Sequence, residues 1–218
     1  MIRALTITKY AQPLVFGQVP LRKPERNQVL VKVKASPINP SDLGFIHGVY
    51  GTKRPTTFPV VPGLEGTGLV QELGPGVSND LLGKNVSFFF DSHNPKMHGC
   101  WCEYVPVNVK DLIVLKDGTD YKKSACALVN PYTALSFIRV AKEANSKAII
   151  HTAAASAVGK MLVHLGKDNN IEILNIVRNK QEENILKEIK AKHILNFTEG
   201  DFDDKLKQKI EVRLIINE

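Results

Sequence analysis

The first half of the chain alternates short apolar runs with turns rich in glycine and proline. Runs of this kind are typical of β-strands separated by turns. Five prolines between residues 37 and 62 mark one long connection, and such connections often carry binding residues on a rigid scaffold. The strands predicted in this part are 3–8, 28–35, 67–73, 85–90 and 101–107.

From about residue 119 the apolar positions recur with a helical period, and Pro131 is predicted to separate two helices. After Lys147 the pattern alternates between buried strands and amphipathic helices, which is typical of a doubly wound α/β domain. We therefore expect two domains, 1–118 and 119–218. The elements predicted in the second are strands 148–152, 172–177, 193–196 and 212–216 and helices 156–166, 181–190 and 202–210.

The predicted fourth strand, 212–216, stands at the end of the sequence, although a dinucleotide fold usually has two further strands. An apolar strand edge left open there invites a partner that covers it. Three interpretations stay open: a fragment or truncated gene model, a chain that pairs with another protein, and a reduced paralogue that serves as a scaffold.

Composition excludes some classes of protein. The 218 residues are 43% hydrophobic, which is enough for a substantial core, but no apolar run approaches the length of a membrane span. The net charge is +7, and many of the lysines lie in the stretch 180–209, which we interpret as a solvated helix face; attraction to phosphates of a cofactor or acyl carrier is the alternative. Few aromatic residues accompany these lysines, so we expect no nucleic-acid binding. The odd number of cysteines, three, indicates a reducing compartment.

A candidate nucleotide-binding turn follows the strand that ends at His151. In a phosphate-binding turn, glycines let the backbone approach the pyrophosphate and let the helix pack on the strand. Here only the last glycine, Gly159, is present, although the other residues are small. The expected cofactor-binding residues in this turn are Ser156, Ala157, Val158 and Gly159. A packed turn that binds no nucleotide is the alternative.

The second strand of the α/β pattern ends in Arg178-Asn179-Lys180, at the position where enzymes that use NAD place an acidic residue. A carboxylate there would bond the ribose and repel a 2′-phosphate, whereas Arg and Lys would bind that phosphate. These three residues therefore predict NADPH as the cofactor in preference to NADH. An exposed cationic loop is the alternative interpretation.

His98, Cys100 and Cys102 alternate and would share one face of a strand. Zinc sites need four ligands or three ligands and a water, and two of these three donors are very close together. We therefore expect no metal site.

Several motifs resemble one known family, in order and over nearly the whole chain. They lie within 38–42, 47–51, 129–134, 156–159 and 176–180. Together they resemble zinc-free medium-chain dehydrogenases/reductases, most closely the mitochondrial-type trans-2-enoyl thioester reductases and next the NADPH:quinone reductases. Zinc alcohol dehydrogenases of this superfamily have a Cys and a His where this chain has Asp42 and Leu64.

The resemblance implies an α/β fold in which a chaperonin-10-like, β-rich lobe is joined to a Rossmann-like domain, here truncated after the fourth strand. It also implies roles for three residues. The Tyr that matches Tyr50 faces the thioester carbonyl, the Asn that matches Asn130 lies at the cofactor, and the Trp that matches Trp101 lines the acyl pocket. The alternatives are a packing Tyr, an Asn at a helix start and a core Trp.

The resemblance therefore implies NADPH-dependent reduction of 2-enoyl thioesters, carried on coenzyme A or an acyl carrier protein, in mitochondrial fatty acid synthesis. Because no presequence is visible, a cytoplasmic location is the alternative. Two other functions stay open. One is an NADPH:quinone oxidoreductase, and the other is a degenerate paralogue acting as a structural subunit of a larger assembly.

Overall fold

The computed structural model describes residues 1–50, 54–90 and 98–215, with side chains described as far as residue 210. The chain forms two compact units, Met1–Val129 and Asn130–Glu218. The domain boundary expected after residue 118 stays a prediction. Gly51 of the motif at 47–51 and Ile216 of the predicted fourth strand lie outside the described residues.

The first unit is built from antiparallel strands, as the alternation of its sequence predicts. Two of them form a hairpin, and the other five form one sheet in the order β6-β3-β4-β5-β7. In three strands of the sheet, alternate residues join a common core, such as Val29 and Val31 in one strand and Val105 and Val107 in another. The strands are β1 (Ile2–Thr6), β2 (Val15–Val19), β3 (Gln28–Ala35), β4 (Glu65–Leu73), β5 (Asn85–Phe89), β6 (Tyr104–Asn108) and β7 (Leu112–Val114).

A helix that the sequence analysis did not predict lies in the proline-marked connection. This helix, α1 (Pro40–His47), begins with a proline, whose missing N–H would have no partner in the first turn anyway. It ends at Gly48, which has the left-handed φ of 72° typical of a helix cap. Phe45 and Ile46 of the helix join a second apolar cluster. A short helix, α2 (Tyr121–Ser124), lies near the end of the unit.

The second unit confirms the alternation of strands and helices. Its three strands are parallel and lie in the order β10-β9-β8. Ala134, Ile138 and Ala141 pack with Leu162 to form the largest of its apolar clusters. Among the described residues, no helix is long and apolar enough to span a membrane. The elements are α3 (Val129–Glu143), β8 (Ala148–His151), α4 (Ala157–Asp168), β9 (Glu172–Val177), α5 (Lys180–Glu188), β10 (Ile194–Asn196) and α6 (Phe202–Ile215).

Two details of the predicted second half are wrong. Pro131 does not separate two helices, because it lies in the first turn of α3, where a proline removes no intrahelical hydrogen bond. The predicted fourth strand is also wrong, since residues 212–215 continue α6. No glycine or proline interrupts the stretch 202–215, and Glu, Arg and Leu favour the helix. Residues 212–215 therefore form no open strand edge for a partner to cover.

Gly68 provides a test of the sheet packing in the first unit. A Cβ added at Gly68 would lie 2.2 Å from the carbonyl oxygen of Lys32, whereas a Cβ at Gly17 in β2 meets nothing within 4 Å. We expect Gly68→Ala to lower the free energy of unfolding by about 2–3 kcal/mol, because β3 and β4 must move apart. Gly17→Ala is the matched control, and urea unfolding followed by circular dichroism measures both. Equal stability of the two variants would contradict this packing.

Candidate functional site

The turn between β8 and α4 has the geometry of a strand-to-helix connection with an open helix N-terminus. Ser156 precedes α4, and its side-chain oxygen accepts the backbone N–H of Gly159 at 3.2 Å. Ala153 has a left-handed φ of 54°, a conformation that glycine adopts more readily than alanine. The turn therefore retains the backbone path of a glycine-rich turn at a position occupied by alanine.

Gly159 is required for packing in this turn. A Cβ at this position would lie 2.1 Å from the carbonyl oxygen of Ala154, closer than any real contact. The start of α4 thus packs closely on the turn that precedes it, at the position of the third glycine of a nucleotide-binding turn. Ala157 is the first residue of α4, and Val158 packs against the largest apolar cluster of the unit.

The end of β9 lies beside this turn. Asn179 caps α5, because its side-chain oxygen accepts the N–H of Glu182 at 2.9 Å. A groove of about 360 Å³ is lined by Ala153 and Ser156 from the turn, by Arg178 and Asn179 from the end of β9, and by residues of α5 that include Glu182. Two motifs that the sequence analysis treated separately are therefore brought together in one groove.

The cationic residues at the end of β9 are paired with acids, which the sequence analysis missed. The Arg178 guanidinium donates to Glu182 Oε1 from Nη2 at 2.7 Å and from Nε at 3.2 Å. Lys180 Nζ lies 2.9 Å from Glu183, which also pairs with Lys187. Hydrogen bonds to Glu182 raise the pKa of Arg178, and the same bonds lower the pKa of Glu182. The i, i+3 and i+4 spacing on α5 could have indicated the pairs of Glu183 with Lys180 and Lys187, whereas Arg178 lies before this helix.

Asn130 is the second residue of α3. The N–H groups of a first helical turn have no partner within the helix, so this position is consistent with either of the roles considered for Asn130. Its role at the cofactor stays a prediction.

Tyr50 follows the end of α1 and is anchored at its backbone. Its N–H donates to the carbonyl oxygen of Gly44 at 3.2 Å. A Cβ at Gly44 would lie 3.1 Å from the Tyr50 Cβ, so the glycine leaves room for the tyrosine to lie against the helix. The Tyr50 side chain remains 38% exposed, and its phenol is therefore accessible to a ligand.

Trp101 is half-buried and packs against both apolar clusters of the first unit. Gly63, with a φ of 106°, allows the indole to approach, since a Cβ there would lie 2.5 Å from the Trp101 ring. The other side of the ring contributes to an apolar groove of about 610 Å³ that also contains Phe16, Ile38 and Leu43. Tyr50 is not among the described residues that line this groove.

Asp42, at a zinc-ligand position of the alcohol dehydrogenases, is used here as a buried hydrogen-bond acceptor. Its two carboxylate oxygens accept the backbone N–H groups of Leu64 at 2.9 Å and of Asn39 at 2.7 Å. Burial raises the pKa of Asp42. The carboxylate therefore links the start of α1 to the chain just before β4.

Glu65 is the second buried acceptor at this point. One of its oxygens accepts from the side-chain amide of Asn39 at 2.9 Å, and the other accepts the N–H groups of Leu128 and Val129 at 3.2 and 2.9 Å. Because α3 begins at Val129, Glu65 satisfies backbone donors at the start of that helix. Glu65 therefore holds the start of α1 and the start of α3 to the start of β4.

The two cysteines of the alternating triplet are engaged as thiols. The Cys100 Sγ donates to the carbonyl oxygen of Glu65 at 2.9 Å, and the Cys102 Sγ donates to that of Tyr104 at 3.2 Å. Burial raises the pKa of both thiols, that of Cys102 to about 12. Metals bind thiolates, so these groups are poor ligands. The part of the chain that the structure describes contains no group of three or more His, Cys, Asp or Glu side chains that could hold a metal ion.

Comparison with known proteins finds similarity over nearly the whole chain. Residues 25–117 match the family of alcohol dehydrogenase GroES-like domains. The chain is 32% identical to the mitochondrial enoyl-[acyl-carrier-protein] reductase of Caenorhabditis elegans, over 94% of this chain and 59% of that protein. It is 25% identical to the quinone oxidoreductase of Sus scrofa, over 96% of this chain and 63% of that protein.

The most informative solved structure is a protein of Mesorhizobium loti described as an NADPH:quinone reductase. It superimposes with a TM-score of 0.85 at 29% identity, and the match covers 97% of this chain and 64% of that chain. The chain thus spans about three fifths of the length of the relatives it matches, since the share covered is 59% for the first and 64% for this one.

Asp42→Asn tests whether both oxygens of this carboxylate are needed. An asparagine amide can accept one of the two N–H groups, but its nitrogen would face the other donor. We expect a loss of about 1–3 kcal/mol in the free energy of unfolding, because one buried donor is left unsatisfied.

The matched control is Asp120→Asn. Asp120 accepts one exposed N–H at the start of α2, from Lys122 at 2.8 Å, and an asparagine oxygen can replace it at little cost. Urea unfolding at neutral pH measures both variants. The same small loss in both would show that the second bond to Asp42 contributes nothing.

Proposed function

This chain has the medium-chain dehydrogenase/reductase fold with an alcohol dehydrogenase GroES-like domain, and we propose that it is an NADPH-dependent, zinc-free reductase of 2-enoyl thioesters. The observation that carries the proposal is the groove in which Ser156, at the start of α4, lies with Arg178 and Asn179, at the end of β9. Phosphates bind at helix N-termini and to guanidinium groups, so this groove suits the adenosine end of a dinucleotide.

Different residues of the second unit would bind different parts of the cofactor. The start of α4, with Ser156, Ala157, Val158 and Gly159, would hold the pyrophosphate, and Gly159 keeps the helix close to the strand. Arg178, Asn179 and Lys180 would hold the ribose with its 2′-phosphate. Asn130 would orient the nicotinamide. NADPH supplies a hydride when it is bound.

Tyr50 would act on the substrate. Addition of hydride to the β-carbon of an enoyl thioester places negative charge on the carbonyl oxygen, and an exposed phenol can donate a hydrogen bond to that oxygen. Trp101 would contribute to binding the acyl chain, as the apolar groove beside it allows. The proposed substrates are thioesters of coenzyme A or of an acyl carrier protein, in keeping with the name of the Caenorhabditis elegans relative.

Reduction of quinones by NADPH is a second candidate function. The solved structure from Mesorhizobium loti and the protein from Sus scrofa, both named as quinone reductases, favour it. The nucleotide groove would serve both reactions equally. Tyr50 separates them, because a quinone offers no thioester carbonyl for the phenol to bind.

We also propose a mitochondrial location and a part in fatty acid synthesis. The support is the name of the Caenorhabditis elegans relative, which is given as mitochondrial. Fluorescence microscopy of the tagged natural protein beside a mitochondrial marker tests the location, and diffuse cytoplasmic signal would contradict it.

Tyr50→Phe tests the proposed reaction. Oxidation of NADPH by a trans-2-enoyl-coenzyme A is expected to lose about two to three orders of magnitude in kcat, because the donor to the developing oxyanion is removed. Binding of NADPH, followed by fluorescence, should be unchanged. Tyr121→Phe is the matched control, since it removes a phenol that bonds Asn85 at 2.5 Å within the same unit.

Three outcomes are informative. Loss of enoyl reduction in the Tyr50 variant alone supports the proposal. Wild-type reduction of a quinone but not of the enoyl thioester, with no effect of Tyr50→Phe, would favour the second candidate. Binding of NADPH without turnover of either substrate would contradict both reactions and favour a structural role.

A further inference from the structure

We propose that Glu182 limits the preference of the nucleotide groove for NADPH over NADH, by holding a carboxylate against Arg178. The inference rests on the proposed function, because it concerns the same nucleotide site. The residue types at the end of β9 suggest a cationic site for a 2′-phosphate. The geometry instead places a negative charge beside the main cation of that site.

Glu182 is fixed in this position by three hydrogen bonds. Its Oε1 accepts from Nη2 and Nε of Arg178, and its Oε2 accepts the backbone N–H of Arg178 at 2.9 Å. The Glu182 side chain is only 16% exposed, whereas that of Arg178 is 67% exposed. Both residues line the groove, and the carboxylate is the more buried partner of the pair.

The ion pair leaves a route for a phosphate to bind. Both guanidinium contacts use the edge formed by Nε and Nη2, so the Nη1 side points away from Glu182. A phosphate bound on that side would lie within about 8 Å of the carboxylate, close to one Debye length at physiological ionic strength. The repulsion between the two anions is therefore only partly screened, and it acts on a 2′-phosphate but not on a 2′-hydroxyl.

The position of Glu182 on its helix adds to the effect. Glu182 lies in the first turn of α5, which Asn179 caps through the Glu182 N–H. The carboxylate of an acidic side chain at this position offsets the positive end of the helix dipole, which would otherwise attract a phosphate. The second cation of the site, Lys180, is likewise paired, with Glu183. Each cation of the run Arg178-Asn179-Lys180 is thus matched by a carboxylate of α5.

Replacement of Glu182 by glutamine removes the charge and one acceptor, that of the exposed Arg178 backbone N–H, which water can replace. The amide oxygen of Gln can still accept from the guanidinium, and the cap of α5 uses the backbone N–H, which the substitution leaves in place. We expect Glu182→Gln to lower the Kd for NADPH about three- to tenfold and to leave the Kd for NADH unchanged. The matched control is Glu143→Gln, because Glu143 pairs with Arg139 at the same i, i+4 spacing on α3, outside the groove.

The test is a fluorescence titration of the 218-residue wild-type chain and both variants with NADPH and NADH, after circular dichroism shows that all three fold. In a second experiment, adenosine 2′-monophosphate and adenosine 5′-monophosphate are each used to displace bound NADPH. Each of these fragments of the cofactor carries one phosphate. The 2′-isomer should gain affinity in Glu182→Gln, and the 5′-isomer should not.

The outcomes separate this inference from the function on which it rests. Tighter binding of NADPH and of the 2′-isomer in Glu182→Gln alone supports it. Equal or weaker binding of NADPH by Glu182→Gln, with clear binding by the wild type, overturns the inference and leaves the proposed function standing. Weaker binding would show that Glu182 positions Arg178 favourably. A wild-type chain that binds none of the nucleotides overturns both.

Discussion

The first unit depends on the rule that a buried carboxylate must have hydrogen-bond donors for its oxygens. Asp42 and Glu65 are both about 1% exposed, and backbone or amide N–H groups point at all four of their oxygens. These bonds join the start of α1, the start of β4 and the start of α3. These two acids thus link segments of the chain that are distant in sequence.

The second unit shows how the same residue types can be arranged to bind a ligand. Gly159 lets the first turn of α4 approach the carbonyl group of Ala154, and the start of the helix lies beside the end of β9. The groove there is lined by small residues of the turn, by Arg178 and by residues of α5 that include Glu182. Its affinity for a phosphate then depends on the acids of α5, because Glu182 and Glu183 offset the charge of Arg178 and Lys180. In this proposal, the selectivity for NADPH over NADH therefore depends on the acids of α5 as well as on the cations at the end of β9.

Much of this architecture could be predicted from periodicity, and the exceptions have physical reasons. Five of the seven strands that the structure describes in the first unit, and the β-α alternation of the second, follow from the spacing of apolar residues, whereas β2 and β7 were not predicted. Helix α1 was missed because its prolines suggested an irregular connection, although Pro40 at its first position and an acid in its first turn are helix-start signals. The end of α6 was missed because Val212, Leu214 and Ile216 alternate as in a strand. No glycine or proline precedes them in the helix, however, and the helix therefore continues.

The sequence could predict which residues form the candidate site. It could not predict which of their charges are paired. Ser156, Arg178 and Asn179 meet in one groove, as the order of strands and turns in a nucleotide-binding fold leads one to expect. The pairing of Arg178 with Glu182 depends on side-chain rotamers at the start of α5, and no periodicity encodes these. Similarly, the residue types of Asp42 and Glu65 suggest a site for chemistry, and only their hydrogen bonds show that they hold the fold together.

The most direct test of the account is a fluorescence titration of the wild-type chain and of Arg178→Ala with NADPH, with NADH as the reference. The account predicts saturable binding of NADPH by the wild type, in the micromolar range. In Arg178→Ala the Kd for NADPH should rise by about tenfold, because a charge-assisted bond to the 2′-phosphate is lost, while the Kd for NADH stays the same. Absence of NADPH binding at millimolar concentration, or an equal effect of the substitution on both nucleotides, would contradict the assignment of this groove.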